Sequence, residues 1–191
     1  FNLKTKKINY FTTDIPWEVS NYTLSKDQSK LVFETNESGL NKLYLMDTSS
    51  KKYSEIKGLP IGLINNIDFT EDGKSLFFSQ STYDSSSDIY RLDLASKNIE
   101  RWTDSEQGEM ANSEMSQPKL IEWTSFDNMK ISGFYYPASK KFTGKRPVLI
   151  NIHGGPEGQS MASSLGSGNY YTNEMGVAII NPNVRGSSGF G

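Results

Sequence analysis

Apolar and polar residues alternate in short segments over the first hundred positions. Leu31 and Phe33, and further on Leu76 and Phe78, follow the two-residue period of half-buried strands. Turn-forming clusters separate such segments: Asp27-Gln28-Ser29, Glu37-Ser38-Gly39, Asp72-Gly73 and the polar run Ser85-Ser86-Ser87-Asp88. The pattern also repeats. Ser25–Phe33 realigns with Thr70–Phe78 at an offset of 45, and Leu43–Asp47 with Ile89–Asp93 at an offset of 46. Upstream, Val19, Tyr22 and Leu24 fall on Ile64, Ile67 and Phe69, while Leu3, Ile8 and Phe11 take the places of Leu94, Ile99 and Trp102. Each copy predicts four short strands in about 45 residues, the dimensions of a β-propeller blade. Two blades are expected at about 16–57 and 61–103, with residues 1–12 as the outer strands of another, so that 1–103 forms a partial propeller. Asp72 reads as a turn residue and not as a ligand.

The pattern changes after Thr103. A polar stretch opening Asp104-Ser105-Glu106-Gln107-Gly108-Glu109 predicts a linker over 104–117. Pro118–Trp123 and Lys130–Tyr136 then read as two strands around the turn Phe126-Asp127-Asn128. Pro147–Ile152 is a nearly continuous apolar run, as expected of a strand covered on both faces, and Gly176–Ile180 is a second. Between them, Tyr170–Met175 suits a short helix stopped by Gly176. A buried strand, a connection and another buried strand predict the opening of an α/β sheet over 118–191.

Composition narrows the function classes. The 191 residues carry 20 Lys+Arg against 22 Asp+Glu, a net charge of −2, which argues against nucleic acid as the main partner. Aromatic residues at 12% are too abundant for a disordered chain. There is no Cys and one His, so thiolate chemistry is excluded and no metal site or cofactor is implied. No apolar run is long enough to span a bilayer, and no membrane partner is expected. The chain begins at Phe1 without an initiator Met or a visible signal peptide, so its start reads as internal; the compartment stays open, with the cytoplasm slightly favoured.

The chemistry sits at the end of the first buried run, where His153-Gly154-Gly155-Pro156 follows Ile152. Two glycines let the backbone turn sharply and leave N–H groups uncovered, as in the oxyanion loops of α/β-hydrolases. Blade-like repeats, a linker, a hairpin and this loop, in that order, resemble the prolyl oligopeptidase family of serine peptidases. Asn181–Gly191, with Asn183-Val184-Arg185-Gly186-Ser187-Ser188-Gly189-Phe190-Gly191, is similar to the family's Asn-x-Arg-Gly-Ser-x-Gly-Tyr-Gly segment, with Phe190 in the Tyr position. Thr124–Asn128 through Tyr136-Pro137 resembles its entry hairpin, with Asn128 where Gly is usual. The His-Gly-Gly-Pro form is closest in kind to the acylaminoacyl-peptidase-like branch.

The resemblance implies a β-propeller followed by the start of an α/β-hydrolase domain, in a serine peptidase that cleaves short peptides through an acyl-enzyme. It implies that the Gly155 N–H is one donor of the oxyanion hole, with His153, Gly154 and Arg185 supporting the loop. The nucleophile should lie in a Gly-x-Ser-x-Gly elbow, followed by Asp and then His. No such elbow occurs in these 191 residues, and His153 stands in the wrong place for the base, so the chain alone is expected to be inactive. A serine esterase of the same fold and a non-enzymatic propeller binding module are the alternatives. The oligomeric state is not read from the residues.

Overall fold

The computed structural model describes residues 1–106, 115–155 and 157–190. Residues 107–114 of the expected linker, Pro156 and Gly191 lie outside the described residues. The remainder forms three four-stranded sheets.

The first two sheets are successive antiparallel meanders. One runs β1 (Val19–Leu24), β2 (Lys30–Glu37), β3 (Leu40–Asp47) and β4 (Tyr53–Glu55). The other runs β5 (Gly62–Phe69), β6 (Ser75–Thr82), β7 (Ser85–Asp93) and β8 (Ile99–Arg101). Four strands per sequence repeat are thus observed, and the repetition extends to side chains. Phe33 lies opposite Tyr44 with rings stacked at 5.1 Å; Phe78 lies opposite Tyr90 with rings stacked at 5.7 Å. Cross-strand aromatic pairs of this kind fix strand register.

The turns repeat as well. Ser25 and Thr70 each accept, through the side-chain oxygen, a backbone N–H five residues on, while Asp27 and Asp72 cap the same turns. Asp72 is therefore the turn residue its sequence position implies. Asp47 and Asp93 are equivalent: each accepts two backbone N–H groups through its carboxylate, and a left-handed lysine, Lys51 or Lys97, closes the turn. Asn2 does the same with Lys4 and Thr5, and Lys6 closes it.

That third turn corrects one expectation. Residues 1–12 contain no strand, and Leu3, Ile8 and Phe11 are exposed. The local turn forms because its hydrogen bonds are internal. A strand needs a neighbour for its N–H and C=O groups, and none lies beside this segment among the described residues. The polar run at 85–88 is a second correction. It is not a turn but the start of β7; the turn falls at Tyr83-Asp84. Ser85 and Asp88 are buried there because each finds polar partners.

The two meanders share a core of Val32, Leu43, Ile64, Ile67, Leu76, Phe78, Tyr90 and Leu92. The third sheet has the order β11-β12-β10-β9, built from β9 (Lys119–Thr124), β10 (Lys130–Tyr136), β11 (Val148–Ile150) and β12 (Ala178–Asn183). β9–β10 and β10–β12 pair antiparallel, and β11–β12 pair parallel. The crossover between β11 and β12 carries a 3-10 turn (Gly166–Gly168) and a short helix, α1 (Asn169–Asn173). The helix begins one residue before and ends two residues before the expected Tyr170–Met175, with Glu174 as its C-cap, so Gly176, left-handed at φ 62°, lies beyond the helix end and does not itself stop it.

β11 differs from the expectation of a strand covered on both faces. It is three residues long and lies at the sheet edge, with Val148, Leu149 and Ile150 exposed by 49%, 42% and 61%. Its apolar run is read correctly as a strand, but among the described residues its side chains are only partly covered. The other side of the sheet is anchored. Phe134, Tyr136, Ala162 and Ile179 form a second core, against which Leu40 of β3 packs.

Candidate active site at the loop after β11

β11 ends by handing its pairing to a side chain. The Asn151 N–H donates to the Ile180 carbonyl at 2.9 Å, and Asn151 Nδ2 donates to Asn181 Oδ1 at 3.2 Å. The chain then leaves the sheet at His153. Gly155 follows with φ 144°, a conformation that L side chains rarely adopt. A Cβ at this position would lie 2.9 Å from the backbone nitrogens of both Glu157 and Gly158. At Gly154, by contrast, a Cβ would meet nothing within 4 Å. The second glycine is thus required by the backbone of its own turn. No acceptor among the described residues takes the Gly155 N–H.

Gly158 closes the turn against the histidine. A Cβ on it would approach the Gly154 carbonyl to 2.6 Å and His153 Nδ1 to 2.8 Å. The following residues are tied to the end of β12. The Ser160 N–H donates to Asn183 Oδ1 at 2.7 Å, and Asn183 Nδ2 returns a bond to the Ser160 carbonyl at 3.0 Å. Asn183 is buried, so its amide substitutes for the backbone pairing that a strand would supply.

The segment after β12 reaches the loop through two serines. The Ser188 N–H donates to the Gly158 carbonyl at 2.9 Å. His153 Nε2 lies 2.8 Å from Ser187 Oγ, and that hydroxyl donates to the Val184 carbonyl at 2.6 Å. Beside these serines, Pro16, Trp17, Glu18 and Phe190 border a groove of about 490 Å³, with Trp17 and Phe190 in edge-to-face contact.

Arg185 points elsewhere. Its guanidinium ion-pairs with Asp127, donates to Ser125 Oγ at 3.0 Å and covers the Phe126 ring at 5.0 Å. The Arg185 guanidinium holds the Asp127 carboxyl below the usual carboxylate range. Arg185 therefore fastens the hairpin turn between β9 and β10 to the segment after β12. Of the four residues singled out from sequence, His153, Gly154 and Gly155 share one loop, while Arg185 acts on the turn at 125–127. Ser187, Gly158 and Asn183 complete the arrangement without having been singled out. Among the described residues no cluster of three or more His, Cys, Asp or Glu could hold a metal ion, and no helix is long and apolar enough to cross a membrane.

The geometry has relatives. No protein-family model matches the chain. It is 27% identical over 152 residues to an uncharacterized peptidase, YuxL, of Bacillus subtilis (strain 168), an alignment covering 73% of this chain and 22% of that protein. Among solved structures, the acylaminoacyl peptidase of Pyrococcus horikoshii superposes with a TM-score of 0.71 at 23% identity, over 95% of this chain and 27% of its own. A structure from work on two prolyl endopeptidases gives 0.72 at 17% identity, over 93% and 26%. A puromycin hydrolase gives 0.74 at 17% identity, over 91% and 26%. The chain thus has the fold of one segment of prolyl oligopeptidase and acylaminoacyl-peptidase structures, and the resemblance read from its residues holds. It spans about a quarter of the length of these relatives.

Proposed function

We propose that this chain is part of a serine peptidase that hydrolyses short peptides through an acyl-enzyme. In this reading residues 1–103 are propeller blades that limit access to the site, 104–117 are a linker, and 118–191 open the α/β-hydrolase catalytic domain. The Gly155 N–H is one of two donors that stabilise the tetrahedral oxyanion. His153 and Gly154 shape its loop, and Arg185 fixes the neighbouring hairpin. In a protein of the relatives' length, the nucleophile, the acid and the base come from outside these 191 residues.

The observation that carries this reading is the backbone at Gly155. An N–H donor aimed at a developing charge has to be uncovered and held in place before the reaction begins. The turn satisfies both needs: its second residue admits no Cβ, and its base is pinned to β12 through Asn151, Ser160 and Asn183. The peptidase relatives favour peptides as the substrate class.

Two measurements on the longer enzyme test the reading. Labelling by a serine-reactive fluorophosphonate is expected, and its absence overturns the serine-hydrolase assignment. Gly155→Ala displaces the donor and is expected to lower kcat by about 10²–10³-fold with little change in KM. Gly154→Ala, whose Cβ enters open space, should lower it far less. An unchanged kcat in Gly155→Ala removes that N–H from the site.

A further inference from the structure

We propose that Ser187 is a positioning residue, whose hydroxyl sets the tautomer of His153 and through it holds the Gly154–Gly158 turn. The inference deepens the reading of Gly155 as an oxyanion donor and rests on it.

The argument is a proton count. Ser187 Oγ has one hydrogen to give. At 2.6 Å the Val184 carbonyl, which can only accept, takes it. The contact of 2.8 Å between Ser187 Oγ and His153 Nε2 is then a hydrogen bond only when Nε2 carries the proton. The neutral ring is thereby fixed with its proton on Nε2, leaving Nδ1 bare toward Gly158, where there is no room for a side chain. The proton on Nδ1 instead would satisfy only the longer contact of 3.2 Å to the Gly154 carbonyl and would strand Ser187 against a second acceptor.

The next residue adds a second point of attachment, because the Ser188 N–H donates to the Gly158 carbonyl. Consecutive residues thus grip both ends of the turn that carries Gly155. Ser187 touches neither a substrate nor the reacting atoms in this scheme; it acts through His153.

His153 is the only histidine in the sequence, so its ring nitrogens can be read without assignment ambiguity. Long-range ¹H–¹⁵N correlation on the 191-residue chain, with pH raised until the ring is neutral, is expected to show the Nε2–H tautomer. Ser187→Ala should convert this to a mixture, and Ser187→Thr, which keeps the hydroxyl, should restore it. A spectrum unchanged in Ser187→Ala overturns the proposal.

In the longer enzyme, Ser187→Ala is expected to lower kcat on a chromogenic peptide about 10- to 100-fold with little change in KM, the cost of a displaced catalytic group. Ser187→Thr should recover most of it. A lost tautomer preference with unchanged kcat also overturns the positioning role. Gly155→Ala in the same assay separates the two failures. If it lowers kcat while Ser187→Ala does not, only Ser187 is removed; if neither does, the oxyanion reading falls as well.

Discussion

Glu34 and Asp88 are both buried carboxylates on the meander strands, yet they titrate in opposite directions. Among the described residues Glu34 pairs with no cation. Burial pushes its carboxyl up to about 7, and the amide of Asn41 and the hydroxyl of Ser20 recover only part of the shift. For Asp88 burial alone would also raise the value, but Ser85, Thr103, Arg101 and Ser105 surround the carboxylate and bring it down to about 2. The linkage signs follow. A carboxyl with a raised value favours the folded state below its unfolded value of 4.5, and that contribution is lost as pH climbs toward 7. Glu34→Gln is therefore expected to match the parent chain near pH 4 and to exceed its stability at pH 8, by on the order of 1–3 kcal/mol. Asp88 behaves in reverse: its contribution is present above 3.8 and fades as pH falls toward 2. Asp88→Asn breaks the hydrogen bonds that the buried carboxylate makes with Arg101, Ser85 and Thr103, and should cost about 2–3 kcal/mol at neutral pH, with a flatter acid limb. Denaturant titrations across pH measure both; equal shifts at pH 4 and pH 8 in Glu34→Gln would remove the assigned ionisation.

At the scale of elements, the recurring turns provide an internal comparison. Gln28 in the first meander, Gly73 in the second and Asn128 between β9 and β10 occupy one left-handed position, at φ 59°, 65° and 68°. Glycine reaches it freely, asparagine tolerates it, and other residues lose roughly 1–2 kcal/mol. Gln28→Gly should therefore stabilise the chain by about 1 kcal/mol, and Gly73→Gln should destabilise it by a similar amount, since a Cβ there meets only ordinary contact with Ser25. Thermal unfolding of the two variants checks the sign.

The same turns explain what could be read in advance. Local chemistry is visible in a sequence, so strands bounded by Ser-x-Asp or Asp-Gly turns, and the glycine pair after Ile152, were legible. Partners distant along the chain were not. The run at 85–88 looked like a turn because Arg101 and Thr103, which satisfy Asp88, come a strand later. The apolar run of β11 announced a strand without showing what covers it. Residues 1–12 match the repeat at Leu3, Ile8 and Phe11 but have no neighbour to pair with among the described residues. In the candidate site, His153, Gly154 and Gly155 form a contiguous motif, whereas Ser187 is brought to the ring only by the parallel return of β12.

For the whole molecule, the two meanders pack face to unlike face. The Phe78–Tyr90 side of the second lies in the shared core with Val32 and Leu43 of the first. By the repeat, the matching Phe33–Tyr44 side of the first meander faces the other way and is closed by Tyr53. Contacts between unlike faces propagate from blade to blade, which is how a propeller grows. The third sheet is fastened to this stack at the β2–β3 hairpin. The Ala162 N–H donates to the Gly39 carbonyl at 3.1 Å, and Asn36 Nδ2 donates to Gln159 Oε1 at 2.6 Å. Gly39, at φ 87°, allows the approach, because a Cβ on it would come within 2.6 Å of the Ser160 carbonyl and 2.8 Å of the Phe134 ring. Gly58 offers the control: its φ is 88°, but a Cβ there would meet only Ile99 at 3.9 Å. Both Gly→Ala variants lose glycine's left-handed freedom, about 1–2 kcal/mol each, so any excess in Gly39→Ala belongs to the contact between stack and sheet. Amide hydrogen exchange should locate that excess, with Ala162 exchanging at least tenfold faster in Gly39→Ala than in Gly58→Ala. Equal exchange at Ala162 in the two variants would mean that the hairpin does not hold the sheet, and that the loop carrying Gly155 is positioned from β12 alone.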